Sequence, residues 1–140
     1  MRRIQALSAA IALTFFVGPA MAEEEPMTTA QVLEKHLELV GNRDLPAVME
    51  FYAPDAFMIT PDAILQGPDQ IRTFFVAQMA EFALPGLDFE LKEKKVNGNI
   101  AYIVWTADTA ENTYHYASDT FVIENGRIVA QTIAFSVTPK

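Results

Sequence analysis

Between His115 and Phe135 the chain reads HYASDTFVIENGRIVAQTIAF, and apolar and polar residues alternate through most of it. A period of two is the mark of a strand with one buried face. The alternation breaks at Asn125-Gly126, a pair suited to the positive φ angles of a two-residue hairpin turn. The pattern therefore predicts two long antiparallel strands. One face of the first carries His115, Ala117, Asp119, Phe121 and Ile123. One face of the second carries Val129, Gln131, Ile133, Phe135 and Val137. If both look inward, Asp119 and Gln131 are polar groups in an apolar wall, half of a ligand pocket.

Two further strands precede this pair. Leu87, Phe89 and Leu91 alternate with Asp88, Glu90 and Lys92, and Asn97-Gly98 is a second hairpin signal. Ile100 to Thr106 is an almost unbroken apolar run that carries Tyr102 and Trp105. Upstream the period changes to that of a helix. Thr28 and Gln31 form a capping box for a helix ending at Val40, with Gly41 as its stop. His36 falls on that helix's apolar stripe with Val32, Leu33, Leu37 and Val40. Asp44 caps a second helix, whose buried side is Leu45, Val48, Met49 and Tyr52 and which Pro54-Asp55 ends. Ala56–Ile59 and Ile64–Leu65 are short strands. Gly67-Pro68-Asp69 opens a third helix faced by Ile71, Phe74, Phe75, Met79 and Phe82. Helices first and strands last is an α+β arrangement. A curved sheet wrapped over helices encloses a cavity suited to a small molecule.

The start of the chain stands apart. Arg2-Arg3, the apolar stretch Ala6–Ala20, and Ala20-Met21-Ala22 before three glutamates make a secretory leader, residues 1–22, cleaved after Ala22. The apolar run is short for a membrane span, which needs about 20 residues; an uncleaved anchor is the alternative. Residues 23–140 then form one domain, periplasmic or secreted and free of the membrane. Losing Arg2 and Arg3 takes the formal charge from −8 to −10. Such a balance argues against nucleic acid as a partner. There is no cysteine, so disulfides, thiol nucleophiles and thiolate metal sites are excluded.

Three segments carry a family resemblance: GNRDLPAVMEFYAPDAFMITP, GPDQIRTFF and ASDTFVIENGRIVAQTIAF. Their order and spacing resemble the SnoaL-like, nuclear-transport-factor-2-like superfamily, which includes ketosteroid isomerase. The resemblance implies a cone-shaped curved antiparallel sheet wrapped over three N-terminal helices, a cystatin-like roll. It also implies a homodimer through the outer sheet face, where Tyr114, Tyr116, Thr120 and Val122 are placed by alternation. In the isomerase a carboxylic acid is kept neutral by an apolar site, and Asp119 matches that acid. The isomerase's oxyanion-hole Tyr corresponds in position to His36. Its general base corresponds to Thr60, before Pro61, and a threonine does not shuttle protons at neutral pH. Asp62 is the nearby carboxylate.

The candidate catalytic groups are thus Asp119 and His36. Alone among apolar residues Asp119 has a raised pKa and can act as a neutral donor; beside His36 the two form a dyad in which the imidazole is the base. A satisfied polar contact without chemistry is the plain alternative. Thr60, Gln131, Trp105, Tyr52, Phe135 and His115 are the candidate ligand-binding residues. His36, His115 and Asp119 have no recognised metal spacing, so no metal is expected. No phosphate-cradling Gly-rich loop is present, so no organic cofactor is expected. The expected partner is a small, mostly apolar, oxygen-bearing ligand, bound for isomerase, dehydratase or cyclase chemistry or held by a non-catalytic binding module.

Overall fold

A computed structural model describes Gly18 and residues 24–140; the leader and its cleavage point otherwise lie outside the described residues. Helices α1 (Thr29–Gly41), α2 (Leu45–Glu50) and α3 (Gly67–Phe82) precede the four long strands β3 (Asp88–Asn97), β4 (Ile100–Asp108), β5 (Asn112–Glu124) and β6 (Arg127–Pro139). Strands β1 (Tyr52–Ile59) and β2 (Ile64–Gln66) lie between α2 and α3. The six strands form one open sheet in the order β2-β1-β6-β5-β4-β3. The fold is α+β, helices on the concave face of a curved sheet. One strand pair departs from the expected all-antiparallel sheet: β1 runs parallel to β6.

The capping box forms as the sequence predicts. Thr28 Oγ1 accepts from the Gln31 amide at 3.3 Å, and Gln31 Oε1 accepts from the Thr28 amide at 2.9 Å. The other end of α1 differs. Gly41 stays helical, and the left-handed residue is Arg43, φ 57°. The Asp44 amide donates to Leu39 O and the Arg43 amide to Val40 O, both at 3.0 Å. This is the Schellman stop, with arginine where glycine is usual. Asp44 then caps α2, its carboxylate accepting from the Ala47 amide at 3.2 Å. The second helix is shorter than its apolar pattern suggests. Tyr52 begins β1 instead, and Pro54-Asp55 lies within the strand where β2 does not yet reach. A proline costs a strand nothing where its missing N–H has no partner.

The inner face of the sheet is a small grid. Ile103, Asp119 and Ile133 stand side by side on β4, β5 and β6; Ala101, Phe121 and Gln131 form the row on one side, Trp105, Ala117 and Phe135 the row on the other. Three bulges interrupt the ladders, at Lys92 on β3, at His115 on β5 and at Val129 on β6. Each inserts one residue, bends its strand and reverses the alternation beyond it. Tyr114 therefore faces inward, packed with Phe82, Trp105 and Phe135. That removes it from the outward set assigned by strict alternation. At the tip, Asn125 (φ 49°) and Gly126 (φ 73°) make the expected hairpin turn. A Cβ on Gly126 would stand 3.2 Å from the Met27 amide nitrogen, so the N-terminal segment lies against the turn.

Candidate functional site

The core is not solid. A cavity of about 270 Å³ opens between the C-terminal halves of α1 and α3 and the concave sheet face. Leu37 and Val40 on α1, Phe74, Phe75 and Phe82 on α3, and Leu87, Phe89 and Leu91 at the sheet edge make most of its wall apolar. Its polar side chains are His36, Arg43, Gln78, Trp105, Asp119 and Gln131.

Asp119 is at the centre of the grid and only 5% exposed. Its oxygens reach diagonally to the neighbouring strands, as the pleat allows. Trp105 Nε1 donates to Oδ2 at 2.7 Å, and Gln131 Nε2 donates to Oδ1 at 2.9 Å. The Gln131 carbonyl oxygen in turn accepts from the Tyr52 hydroxyl. Tyr52 thereby fixes which end of the amide faces Asp119. Burial pushes the Asp119 carboxyl up to about 6 from 3.8, against the two donors, which favour the charged form. Near neutral pH it is an anion that takes a proton readily.

His36 is 3% exposed. Its ring packs edge-on against Phe75 and Phe121, with centroids 5.8 and 5.1 Å away. Its Nδ1 is buried with no hydrogen-bond partner among the described residues. Burial lowers its pKa from 6.5 to about 4, so the ring is neutral at pH 7. No hydrogen bond or ion pair joins His36 to Asp119, so of the two arrangements the sequence left open the ion-paired dyad does not form. Asp119 takes its hydrogen bonds from Trp105 and Gln131, and His36 faces the same cavity as an uncharged imidazole.

The other sequence candidates divide. Gln131 and Trp105 line the cavity. Tyr52 stands behind Gln131 and does not line it. Phe135 lines an adjoining cavity of about 150 Å³ with Glu81, Tyr114 and Ile133, beyond Trp105. His115 is a correction: the bulge at Tyr114/Tyr116 turns it out to solvent, where Nε2 pairs with Thr138 Oγ1 at 2.9 Å. It is thus not grouped with His36 and Asp119 as three metal ligands would be. Thr60 is a second correction. Its hydroxyl accepts from the Asp62 and Ala63 amides in the β1–β2 turn, away from the cavity wall. Asp62 is exposed in that turn and does not lean in.

Sequence reasoning misses Arg43 and Gln78. Gln78 lies one turn after Phe74 on the α3 face and reaches both cavities. Arg43 carries no sequence signal, because its place at the cavity follows from a helix stop that glycine usually makes.

Helices laid into an open curved sheet, with a buried carboxyl in the hollow, make an α+β cone with an internal cavity. The chain matches the SnoaL-like domain family over residues 33–131 and belongs to it. Curated protein sequences give no match. Among solved structures, it is similar to a steroid delta-isomerase from Pseudomonas aeruginosa, with 22% identity, TM-score 0.66 and coverage of 79% of this chain and 80% of that one. It is also similar to an NTF2-like protein of unknown function from Cytophaga hutchinsonii, with 14% identity, TM-score 0.66 and coverage of 83% and 95%. A third is the epoxide hydrolase/cyclase-like enzyme SalBIII of pyran ring formation in salinomycin, with 12% identity, TM-score 0.66 and coverage of 80% and 95%. At such identities the likeness is one of fold.

Proposed function

We propose that the cavity binds a small, largely apolar molecule with a carbonyl or hydroxyl turned toward Asp119, and that Asp119 exchanges a proton with it. The observation that carries this reading is the buried carboxyl, held by two donors, on the wall of an apolar hollow. A pKa near 6 suits a group that must both accept and return a proton near neutral pH. Neutral His36 is the natural hydrogen-bond partner for the ligand oxygen on which charge builds. The class is isomerase, dehydratase or cyclase, working through a single carboxyl, since Thr60 and Asp62 lie outside the cavity. Steroid isomerase and cyclase-like neighbours support the class.

The test needs no knowledge of the natural substrate. Exchange of the α-hydrogens of 2-tetralone with deuterated water, followed by NMR, reads proton abstraction directly. Wild type should accelerate it, and Asp119→Asn should lower the rate by about 10²–10⁴; His36→Ala should lower it less. Ketone binding with no acceleration would leave a second reading, a binding module without turnover, which the lack of a second carboxyl among the described residues of the cavity wall favours.

Export and dimerisation belong to the same proposal. The A-x-A site supports a mature chain that begins at Glu23, which the intact mass of the native protein checks. The outward residues Tyr116, Thr120 and Val122 support pairing through the sheet. A monomer mass in light scattering at micromolar concentration would rule pairing out.

A further inference from the structure

We infer that the ligand is an amphipathic acid whose anionic end pairs with Arg43 at the cavity mouth while its apolar body lies inside. This rests on the cavity being a ligand site. All five lysines pair with carboxylates: Lys35, Lys92, Lys94, Lys95 and Lys140. Among the described residues Arg43, like Arg72 and Arg127, has no carboxylate within 4.0 Å of its guanidinium. Its Nη2 donates instead to a neutral acceptor, Phe82 O, at 2.7 Å. That bond spends one of five donors and anchors the group beside Phe82, another wall residue.

Two features make this more than a surface arginine. Among the described residues, Arg43 is the only lysine or arginine in the cavity wall, in a chain of net charge −8 where an anion finds little other attraction. It also occupies the left-handed position of the α1 stop, φ 57°, where glycine would be unstrained. Strain of this kind is retained where a side chain has work to do. A guanidinium fork reads a carboxylate in two parallel bonds and makes charge-assisted contacts stronger than neutral ones. The volume of about 270 Å³ falls just below the roughly 300–1,000 Å³ of sites for drug-sized ligands, so the body is a short chain or one or two rings.

Trp105, the sole tryptophan, lines the cavity and reports binding by its fluorescence. Wild type is titrated at pH 7.5 with 4-phenylbutanoate and with 4-phenylbutan-1-ol, its neutral counterpart. The acid should bind about tenfold or more tightly, and salt should weaken the acid alone. Arg43→Gly, which relieves the backbone strain, and Arg43→Gln should both abolish that preference, weakening the acid far more than the alcohol. An acid that binds no better than the alcohol on wild type overturns the inference while the cavity reading stands. So does a preference that survives both substitutions, or substitutions that lower only the melting temperature, as a simple cap on α3 would. If neither compound changes the fluorescence, this inference and the cavity reading fall together.

Discussion

Replacing Asp119 by asparagine keeps the shape of the group and deletes its charge. In wild type the folded protein binds the carboxyl proton up to about pH 6, whereas the unfolded chain releases it near 3.8. Stability therefore falls as pH rises through that interval, and the whole cost is present above pH 6. At ~1.36 kcal/mol per pH unit it is on the order of 3 kcal/mol. The substituted amide can keep the hydrogen bonds: Trp105 donates to its oxygen, and Gln131 turns over to accept from its nitrogen while Tyr52 accepts from Gln131. At pH 7 the Asp119→Asn variant should be more stable than wild type by on the order of 3 kcal/mol, and the difference should vanish near pH 4. His36 hides this in wild type. Its folded pKa of about 4 lies below 6.5, so its contribution rises with pH over nearly the same range. The two slopes nearly cancel between pH 4 and 6. Urea denaturation at about pH 4 to 8 is the assay, followed by Trp105 fluorescence for wild type, Asp119→Asn and His36→Gln. The asparagine variant should gain stability with rising pH, and the glutamine variant should lose it. A variant-minus-wild-type difference that stays flat with pH would refute the account of the buried charge. So would an Asp119→Asn protein that is weaker than wild type at neutral pH.

Other outcomes follow from the same contacts. Trp105→Phe removes the donor to Oδ2 and should raise the Asp119 pKa further, measured by NMR titration of the carboxyl carbon. Thr60→Ala should cost about 1 kcal/mol through the β1–β2 turn, and His115→Ala less; neither should change ligand affinity in the fluorescence titration. Gly126→Ala should destabilise by about 1 kcal/mol or more in urea melts, because φ is 73° and the new Cβ meets the Met27 backbone.

How far the sequence discloses this arrangement depends on whether a feature leaves a mark in residue order. The Asn125-Gly126 turn, the Thr28/Gln31 cap and the apolar face of α3 each follow from local chemistry and are where the pattern places them. The placement of Asp119 and Gln131 on one concave face follows from alternation within stretches free of bulges, whereas the unbroken apolar run around Trp105 assigns it no face. Alternation misplaces His115 because a bulge is one extra residue with no distinctive composition, and it inverts every face beyond it. Tyr52 reads as helical because Val48, Met49 and Tyr52 keep helical spacing while Pro54 resembles a stop. The partners of Asp119 are illegible for another reason. Whether a carboxylate meets an imidazole or an indole depends on diagonal contacts between strands, which only the register decides.

The parallel join of β1 to β6 has a consequence for how the protein comes to exist. Met58 lies beside Gln131, and Tyr52 beside Ile128, partners separated by most of the domain. Such distant pairings close slowly, and a nascent chain cannot make them until its last strand has left the ribosome. The hollow is therefore a late product of folding, and any truncation of β6 should cost the cavity before it costs the helices.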